Sequence, residues 1–401
     1  MRTPVWRAIP LIAASLLIVF CISMFPTLNF KYLKNFCNLT PRTHDYQLTS
    51  VIFKKIDTEN CIFFEKNGFF MDDKIKIIVI LGPTACGKTS FAVRLAAQID
   101  GAIVSADSRQ LYRGLDIGSG KDIGEYTLPS GETVEHHLID IAEPDYEYNL
   151  AEFMRDCRNA VQDIHARKRI PVLAGGSALY LDAVLRNYSL RGGAPDPEER
   201  KALRSMSTGE LQERLRGLEP DSGILHSEPE NRTRLIRRIE ILTKRPDESL
   251  LAEANAPSSG WEFLVIGVLR DRQEVHRRIE ERLDARLNAG MLDEARYLHD
   301  VRGISWERLE FFGLEYRYMA LHLQGKLTYR EMRDQLLIKI RQFAKRQDSW
   351  FRNMERNGVP IYWYRPDAFD GALALCRNFL AGKELPEPGF RLSETFYGPK
   401  A

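Results

Sequence analysis

Residues 71–90 read MDDKIKIIVILGPTACGKTS, and this stretch decides the fold. Residues 75–81 are an unbroken run rich in Ile and Val, the pattern of a strand buried on both faces of a parallel sheet. The run leads directly into Gly82, Pro83, Thr84, Ala85, Cys86, Gly87, Lys88 and Thr89, a full G-x-x-x-x-G-K-[ST] match, and a helical pattern follows over residues 90–99. Strand, glycine loop and helix in that order form a phosphate-binding unit: the glycines let backbone N–H groups converge, and the helix N-terminus adds positive partial charge. Lys88 is placed to neutralise terminal phosphate charge, and the Thr89 hydroxyl to help hold Mg²⁺. The loop implies a phosphorylated ligand without saying which one.

A second strand is predicted over residues 102–105, ending in Ala106, Asp107, Ser108, Arg109 and Gln110. Ligands of α/β sheets bind at the carboxyl ends of strands. Asp107 there reads as a Mg²⁺-linked acid, a general base for an incoming nucleophile, or a plain helix cap. The fold class that follows is α/β, a P-loop NTPase-like parallel sheet flanked by helices. Residues 191–230 are polar, helical in period and broken by Gly and Pro, and read as an inserted helical lobe. A return strand is expected at 263–269, a long amphipathic helix at 273–287, and a break at Gly290 before residues 292–298. Beyond Trp363 the Pro/Gly-rich tail reads as loosely ordered.

The 401 residues carry 57 Lys+Arg against 55 Asp+Glu, a net charge of +2, with 44% hydrophobic and 28% charged residues. That balance excludes collagen-like, wholly disordered and polytopic membrane chains and leaves room for two or three domains. Cysteines at 21, 37, 61, 86, 157 and 376 form no C-x-x-C pair and no zinc spacing, so a reduced compartment without a structural metal is expected. Cys86 reads as a small filler of the loop. Residues 1–70 differ from the rest. No acid precedes Asp45, and residues 9–25 (IPLIAASLLIVFCISMF) are apolar enough for one membrane span or signal anchor. Three readings stay open: an appendage or over-extended start before Met71, an anchor, or an organellar targeting segment. The first implies a cytoplasmic protein.

Further blocks carry a family likeness in order: SADSRQLYRGLDIGSGKD, EHHLIDIAEPDYEYNLAEF, IPVLAGGSALYLDAVL, NRTRLIRRIEIL, VIGVLRDRQEVHRRIEERLDARLNAGMLDEARYL and QFAKRQDSWFR, covering most of residues 74–352. The chain resembles the tRNA dimethylallyltransferase (tRNA isopentenyltransferase) family, of the bacterial type without a zinc finger. It departs from the usual I-G-T-A-K-P at Ile117-Gly118-Ser119-Gly120-Lys121-Asp122, and from G-G-T-G-L-Y at Gly175-Gly176-Ser177-Ala178-Leu179-Tyr180. Both Thr-to-Ser changes keep a hydroxyl. The Q-R-x-x-R block appears as Thr233-Arg234-Leu235-Ile236-Arg237, and Phe312-Gly313-Leu314-Glu315-Tyr316 replaces the usual A-I-G-Y-K-E.

The resemblance implies that the loop holds the diphosphate of dimethylallyl diphosphate. The N6 amine of an adenosine, at position 37 of the tRNA anticodon loop, attacks the allylic carbon. By match to the family motif Asp107 is the base, while Lys88, Mg²⁺ on Thr89 and an arginine, Arg237 with Arg234 behind it, stabilise the leaving diphosphate. Ser108, Arg109 and Gln110 are expected at the flipped base and its neighbours, and Ser177 and Arg200 match tRNA-contacting positions. Residues 326–356 hold nine Lys/Arg and four acids with Phe343, Trp350 and Phe351 interleaved, and within them Lys345 and Arg346 are the expected tRNA contacts. The implied organisation is an extension (1–70), a core (71–190), a helical tRNA-contact insertion (191–256), a second core part (257–365) and a tail (366–401), working as a monomer. The competing readings are an adenylate isopentenyltransferase acting on free AMP or ATP, a small-molecule P-loop kinase, and a membrane-anchored RNA-binding protein with a degenerate loop.

Overall fold

The computed structural model describes residues 74–190, 196–243 and 260–394; the apolar stretch at 9–25 and the rest of the 1–70 extension lie outside the described residues. Elements are numbered along the described residues. The sheet is built from β1 (Ile75–Leu81), β2 (Gly101–Ser105), β3 (His136–His137), β4 (Ile170–Gly175), β5 (Trp261–Val268) and β6 (Ile361–Tyr364), in the order β3-β2-β4-β1-β5-β6. Every neighbouring pair is parallel, with β1 between β4 and β5: Ile78 stands beside Val172 on one side and Leu264 on the other.

Period-two alternation along β1 divides the core. Ile77, Val79 and Leu81 face one layer, packed with Phe153, Ile279 and Leu336 of α2 (Leu150–Ala166), α8 (Arg272–Asn288) and α12 (Tyr329–Arg356). Ile78 and Ile80 face the other, with Phe91 and Leu95 of α1 (Lys88–Gln98) and Phe369 and Leu373 of α13 (Phe369–Leu380). A strand covered on both sides has no polar face to show, which is why its sequence is continuous rather than alternating.

After α3 (Ala178–Leu185) the chain enters the helical insertion: α4 (Pro197–Ser205), α5 (Thr208–Leu218), α6 (Gly223–Ser227) and α7 (Arg232–Thr243). Their starts are written locally. The Asp196 side chain accepts from Glu198 and Glu199 N–H, and Ser207 with Glu210 closes a capping box. These helices bury their own small core of Leu203, Leu211, Leu215, Leu235, Ile236 and Ile239.

Beyond β5 the long helix α8 ends before Gly290, whose φ of 96° starts α9 (Met291–Asp300) at the expected break. Then come α10 (Trp306–Phe312), α11 (Leu314–Leu323) and α12, opened by a Thr328/Glu331 capping box. The predicted loose tail is a correction. Beyond Trp363, α13 packs on α1, with the Phe91 and Phe369 rings 5.2 Å apart, while residues 361–364 just before it add the edge strand β6 to β5. Phe369, Ala372, Leu373, Cys376 and Phe379 recur at helical spacing and are buried, so the Pro and Gly residues punctuate this region rather than loosen it. Among the described residues no helix is long and apolar enough to cross a membrane.

Candidate active site

The phosphate loop leaves β1 at the middle of the sheet and turns into α1 through Gly87, whose φ of 90° and ψ of 23° lie in the left-handed region. As members of the first turn of a helix, the N–H groups at 88 and 89 have no intrahelical acceptor, the arrangement by which helix N-termini hold anions. The loop's outer side is tied down. Arg270 Nε donates to the Cys86 carbonyl (2.8 Å), Arg278 Nε to the Ala85 carbonyl (2.9 Å) and Arg282 Nη2 to Thr84 Oγ1 (2.6 Å). Gln347 of α12 clasps two loops at once: Thr84 N–H donates to its Oε1 (2.8 Å) and its Nε2 donates to the Gly176 carbonyl (2.7 Å). Cys86 is fully buried, and that burial pushes its thiol pKa up, so it fills space. Gly176 is required by close approach, since a Cβ there would stand 2.8 Å from Gln347 Nε2 and 3.3 Å from Lys88 Nζ.

Lys88 and Thr89 face a cavity of about 350 Å³ that also takes in Asp107, Gln110, Arg278 and Arg282. Asp107 sits just past β2, as expected. Its Oδ1 accepts from Arg109 N–H (3.0 Å), which fixes the carboxylate's rotation at the cavity wall. Arg109 itself turns away and donates from Nε to the Phe312 carbonyl (2.6 Å). The Gln110 amide is held on both sides: Ser105 Oγ donates to Oε1 (3.2 Å), and Nε2 donates to the Gly120 carbonyl (3.1 Å). Ser177 fastens the Asp107 loop to the β4 turn, accepting from Ser108 N–H at 2.9 Å with the two hydroxyls 3.2 Å apart.

The arginines divide differently from the sequence expectation. Arg237 does not line the cavity. It pairs with Glu240 at 3.3 Å on α7, where Glu240 also takes a two-pronged contact from Arg200 (2.6 and 2.8 Å). Arg200 reaches Glu147 as well (2.9 Å) and joins the insertion to the segment before α2. Arg234 is exposed and ion-paired with Glu228. The cations at the loop are instead Arg278 and Arg282. Burial and the neighbouring Arg286 push the Arg282 pKa down to about 10, which leaves it cationic at neutral pH. Their i, i+4 spacing on α8 was visible, but in a helix so rich in charge a cationic stripe reads as a solvated face.

Lys345 and Arg346 lie exposed on α12, on the turn whose buried members Ala344 and Gln347 face the core. Arg346 stacks over Phe343 at 5.8 Å, and neither cation has an ion-pair partner among the described residues. Other basic residues of this helix are already paired: Arg333 with Asp284 (2.7 Å) and Arg341 with Glu280 (2.8 Å) on α8. For a metal, the cavity offers the Thr89 hydroxyl with Asp122, Glu125 and Glu281 on its walls, but no group of three or more His, Cys, Asp or Glu forms a cage among the described residues. That donor set fits Mg²⁺, which keeps waters and draws ligands from substrate phosphates, better than a cation needing a full protein shell.

Comparison with known proteins agrees with this geometry. The IPP transferase family matches residues 110–354 and the isopentenyl transferase family residues 75–129. A tRNA dimethylallyltransferase 1 of Syntrophus aciditrophicus is 45% identical over 296 residues, 73% of this chain and 95% of its own length. A tRNA dimethylallyltransferase 2 of Trichlorobacter lovleyi is 45% identical over 308 residues, 76% and 96% of the two chains. The crystal structure of a tRNA isopentenylpyrophosphate transferase from Bacillus halodurans superposes with a TM-score of 0.54 at 34% identity, covering 77% of this chain and 96% of that one. A eukaryotic dimethylallyltransferase, solved in crystallographic snapshots of its action on tRNA, shares the fold at a TM-score of 0.62 and 23% identity, over 78% and 81% of the chains. By that identity, sustained over nearly the whole length of its relatives, the chain belongs to the tRNA dimethylallyltransferase family.

Proposed function

We propose that the protein moves a dimethylallyl group from dimethylallyl diphosphate to N6 of an adenosine in a tRNA anticodon loop, position 37, and releases diphosphate. The observation that carries the reading is the shared cavity: a phosphate loop with Lys88 and a strand-end carboxylate, Asp107, face the same space in a chain whose relatives are named for this activity. The loop N–H groups, Lys88, Arg278 and Arg282 hold the diphosphate and take up charge as it leaves. The exocyclic amine of adenine is a weak nucleophile because its lone pair is delocalised into the ring. Asp107, with one oxygen engaged by Arg109 N–H, offers the other to that amine. As the N6–carbon bond forms, the carbon–oxygen bond to diphosphate breaks and the amine proton passes to Asp107. When bound at Thr89, Mg²⁺ supplies further charge for the leaving diphosphate.

Gln110, with one N–H and a carbonyl lone pair unspent, suits the edge of an adenine turned out of its stack. The exposed cations Lys345 and Arg346 suit the tRNA backbone, and the described helices of residues 196–243 suit a lobe gripping the anticodon stem. On this reading the protein acts as a monomer in the cytoplasm. Incubation of the protein with radiolabelled dimethylallyl diphosphate and Mg²⁺, with tRNA, AMP or ATP in separate arms, tests the reading. Label should enter tRNA alone. Label in AMP or ATP, or a phosphorylated product, overturns it.

A further inference from the structure

The reading of Gln110 as an adenine contact leaves open what holds the Gly120 carbonyl that anchors its amide. Residues 118–122 form a loop between the reaction cavity, lined by Ser119, Gly120 and Asp122, and a second cavity of about 350 Å³ lined by Lys121, Asp122, Arg282 and Arg286. Arg286, a buried residue of α8, packs its guanidinium on the Cα of Gly120: a Cβ at 120 would stand 2.1 Å from Nη2 and 2.8 Å from Cζ. From the same place Nη2 donates to Asp122 Oδ2 at 3.2 Å. On the other side of the peptide, the Gly120 carbonyl accepts from Gln110 Nε2 at 3.1 Å. Of the three positions that break the usual I-G-T-A-K-P pattern, Ser119, Gly120 and Asp122, the last two receive Arg286: one by having no side chain, the other by supplying a carboxylate.

We infer that Arg286 is a positioning residue for acceptor-base recognition, clamping the 118–122 loop through Gly120 and Asp122 so that the Gly120 carbonyl sets the Gln110 amide at the cavity wall. The clamp joins a buried guanidinium, 10% exposed, to a half-exposed Asp122 carboxylate, 49% exposed, so its hold on the loop comes chiefly from the packing of Arg286 on Gly120. At Lys121 the same loop is tied to the Tyr112 carbonyl (2.8 Å) and to Asp116 (2.7 Å), which anchors it to the Asp107 strand end. Arg286 thus limits where the loop sits and Lys121 limits how far it can travel. Neither need touch the base.

The inference rests on the acceptor being tRNA with Gln110 at its adenine, and the test keeps the two apart. Steady-state transfer to tRNA is measured for the full chain and for Arg286→Met, Arg286→Lys, Gln110→Ala and the Arg286→Met/Gln110→Ala pair. Arg286→Met should lower kcat/KM for tRNA about tenfold, the effect of one hydrogen bond misaligned, and leave KM for dimethylallyl diphosphate unchanged. Arg286→Lys should recover part of the loss. In the Gln110→Ala background Arg286→Met should add nothing, because its route to the base is gone. Losses that multiply in the double variant, or an equal rise in donor KM, overturn the inference while the function stands. If Arg286→Met does not fold, Arg286→Gln, which keeps a polar end without the charge, is held to the same pattern. A native chain that transfers nothing to tRNA would instead refute the proposed function.

Discussion

Gln347 should be worth more to the protein than any surface cation of its helix. Its amide is buried, 4% exposed, and satisfies two backbone groups 92 residues apart, Thr84 N–H at 2.8 Å and the Gly176 carbonyl at 2.7 Å. Gln347→Ala leaves both without a partner in a site too closed for easy solvation. At about 1–3 kcal/mol for each orphaned group, the loss is about 2–6 kcal/mol, a large part of the ~5–15 kcal/mol that holds a typical domain. Gln347→Glu should not rescue it, because a carboxylate oxygen would then face the Gly176 carbonyl. Urea unfolding followed by tryptophan fluorescence, with Trp350 one turn along the helix, reads the shift in midpoint at constant slope. The freed Thr84 should also raise KM for the prenyl donor. A Gln347→Ala midpoint within about 0.5 kcal/mol of the native chain, with donor KM unchanged, would show that the loop is held by the arginines alone.

Four further outcomes follow from the same geometry. Asp107→Asn should lower the single-turnover rate about 10²–10⁴-fold with donor binding retained; a normal rate removes Asp107 as the base. Arg282→Ala should weaken inhibition by inorganic diphosphate about tenfold or more, whereas Arg237→Ala should leave that inhibition unchanged, and the reverse ranking would restore the sequence-based choice. Lys345→Ala with Arg346→Ala should weaken tRNA binding and flatten the dependence of log K on log salt by roughly 1.5–2, measured by filter binding. Asp348→Asn should stabilise the protein near neutral pH. Burial pushes the Asp348 carboxyl up to about 6, and its Oδ1 has no hydrogen-bond partner. A raised carboxyl pKa means that stability present at low pH is lost as pH rises through the window from about 4 to 6. The variant's advantage, up to about 3 kcal/mol at pH 7, should therefore vanish below pH 4, and an advantage independent of pH would refute the cause.

The local code of this chain is clear where a residue's task is set by its immediate neighbours. β1 needs apolar residues on both faces, the loop needs glycine at 87 for a left-handed turn, and Gly290 needs the same to separate α8 from α9. Such signals lie within a few residues of where they act, so the strand, the loop, the Asp107 strand end and the helical insertion could be read directly. Helix α13 was legible in its apolar spacing, although the Pro and Gly residues around it read as a loose tail.

The pairing of charges was beyond such reading. Arginine is frequent along α7, α8 and α12, and nothing in the residue type says which guanidinium meets a phosphate loop and which meets a carboxylate. Arg237 met Glu240 within its own helix, while tertiary packing sent Arg200 to Glu240 and Glu147, Arg278 and Arg282 to the loop, and made Gln347, hidden in a basic block, the brace between two strand ends. Chain order carries the backbone's short-range preferences. Partners separated by 40 to 263 residues are chosen only once sheet order and helix packing bring them within a few ångströms, because Coulomb and hydrogen-bond energies depend on that distance and not on position along the chain.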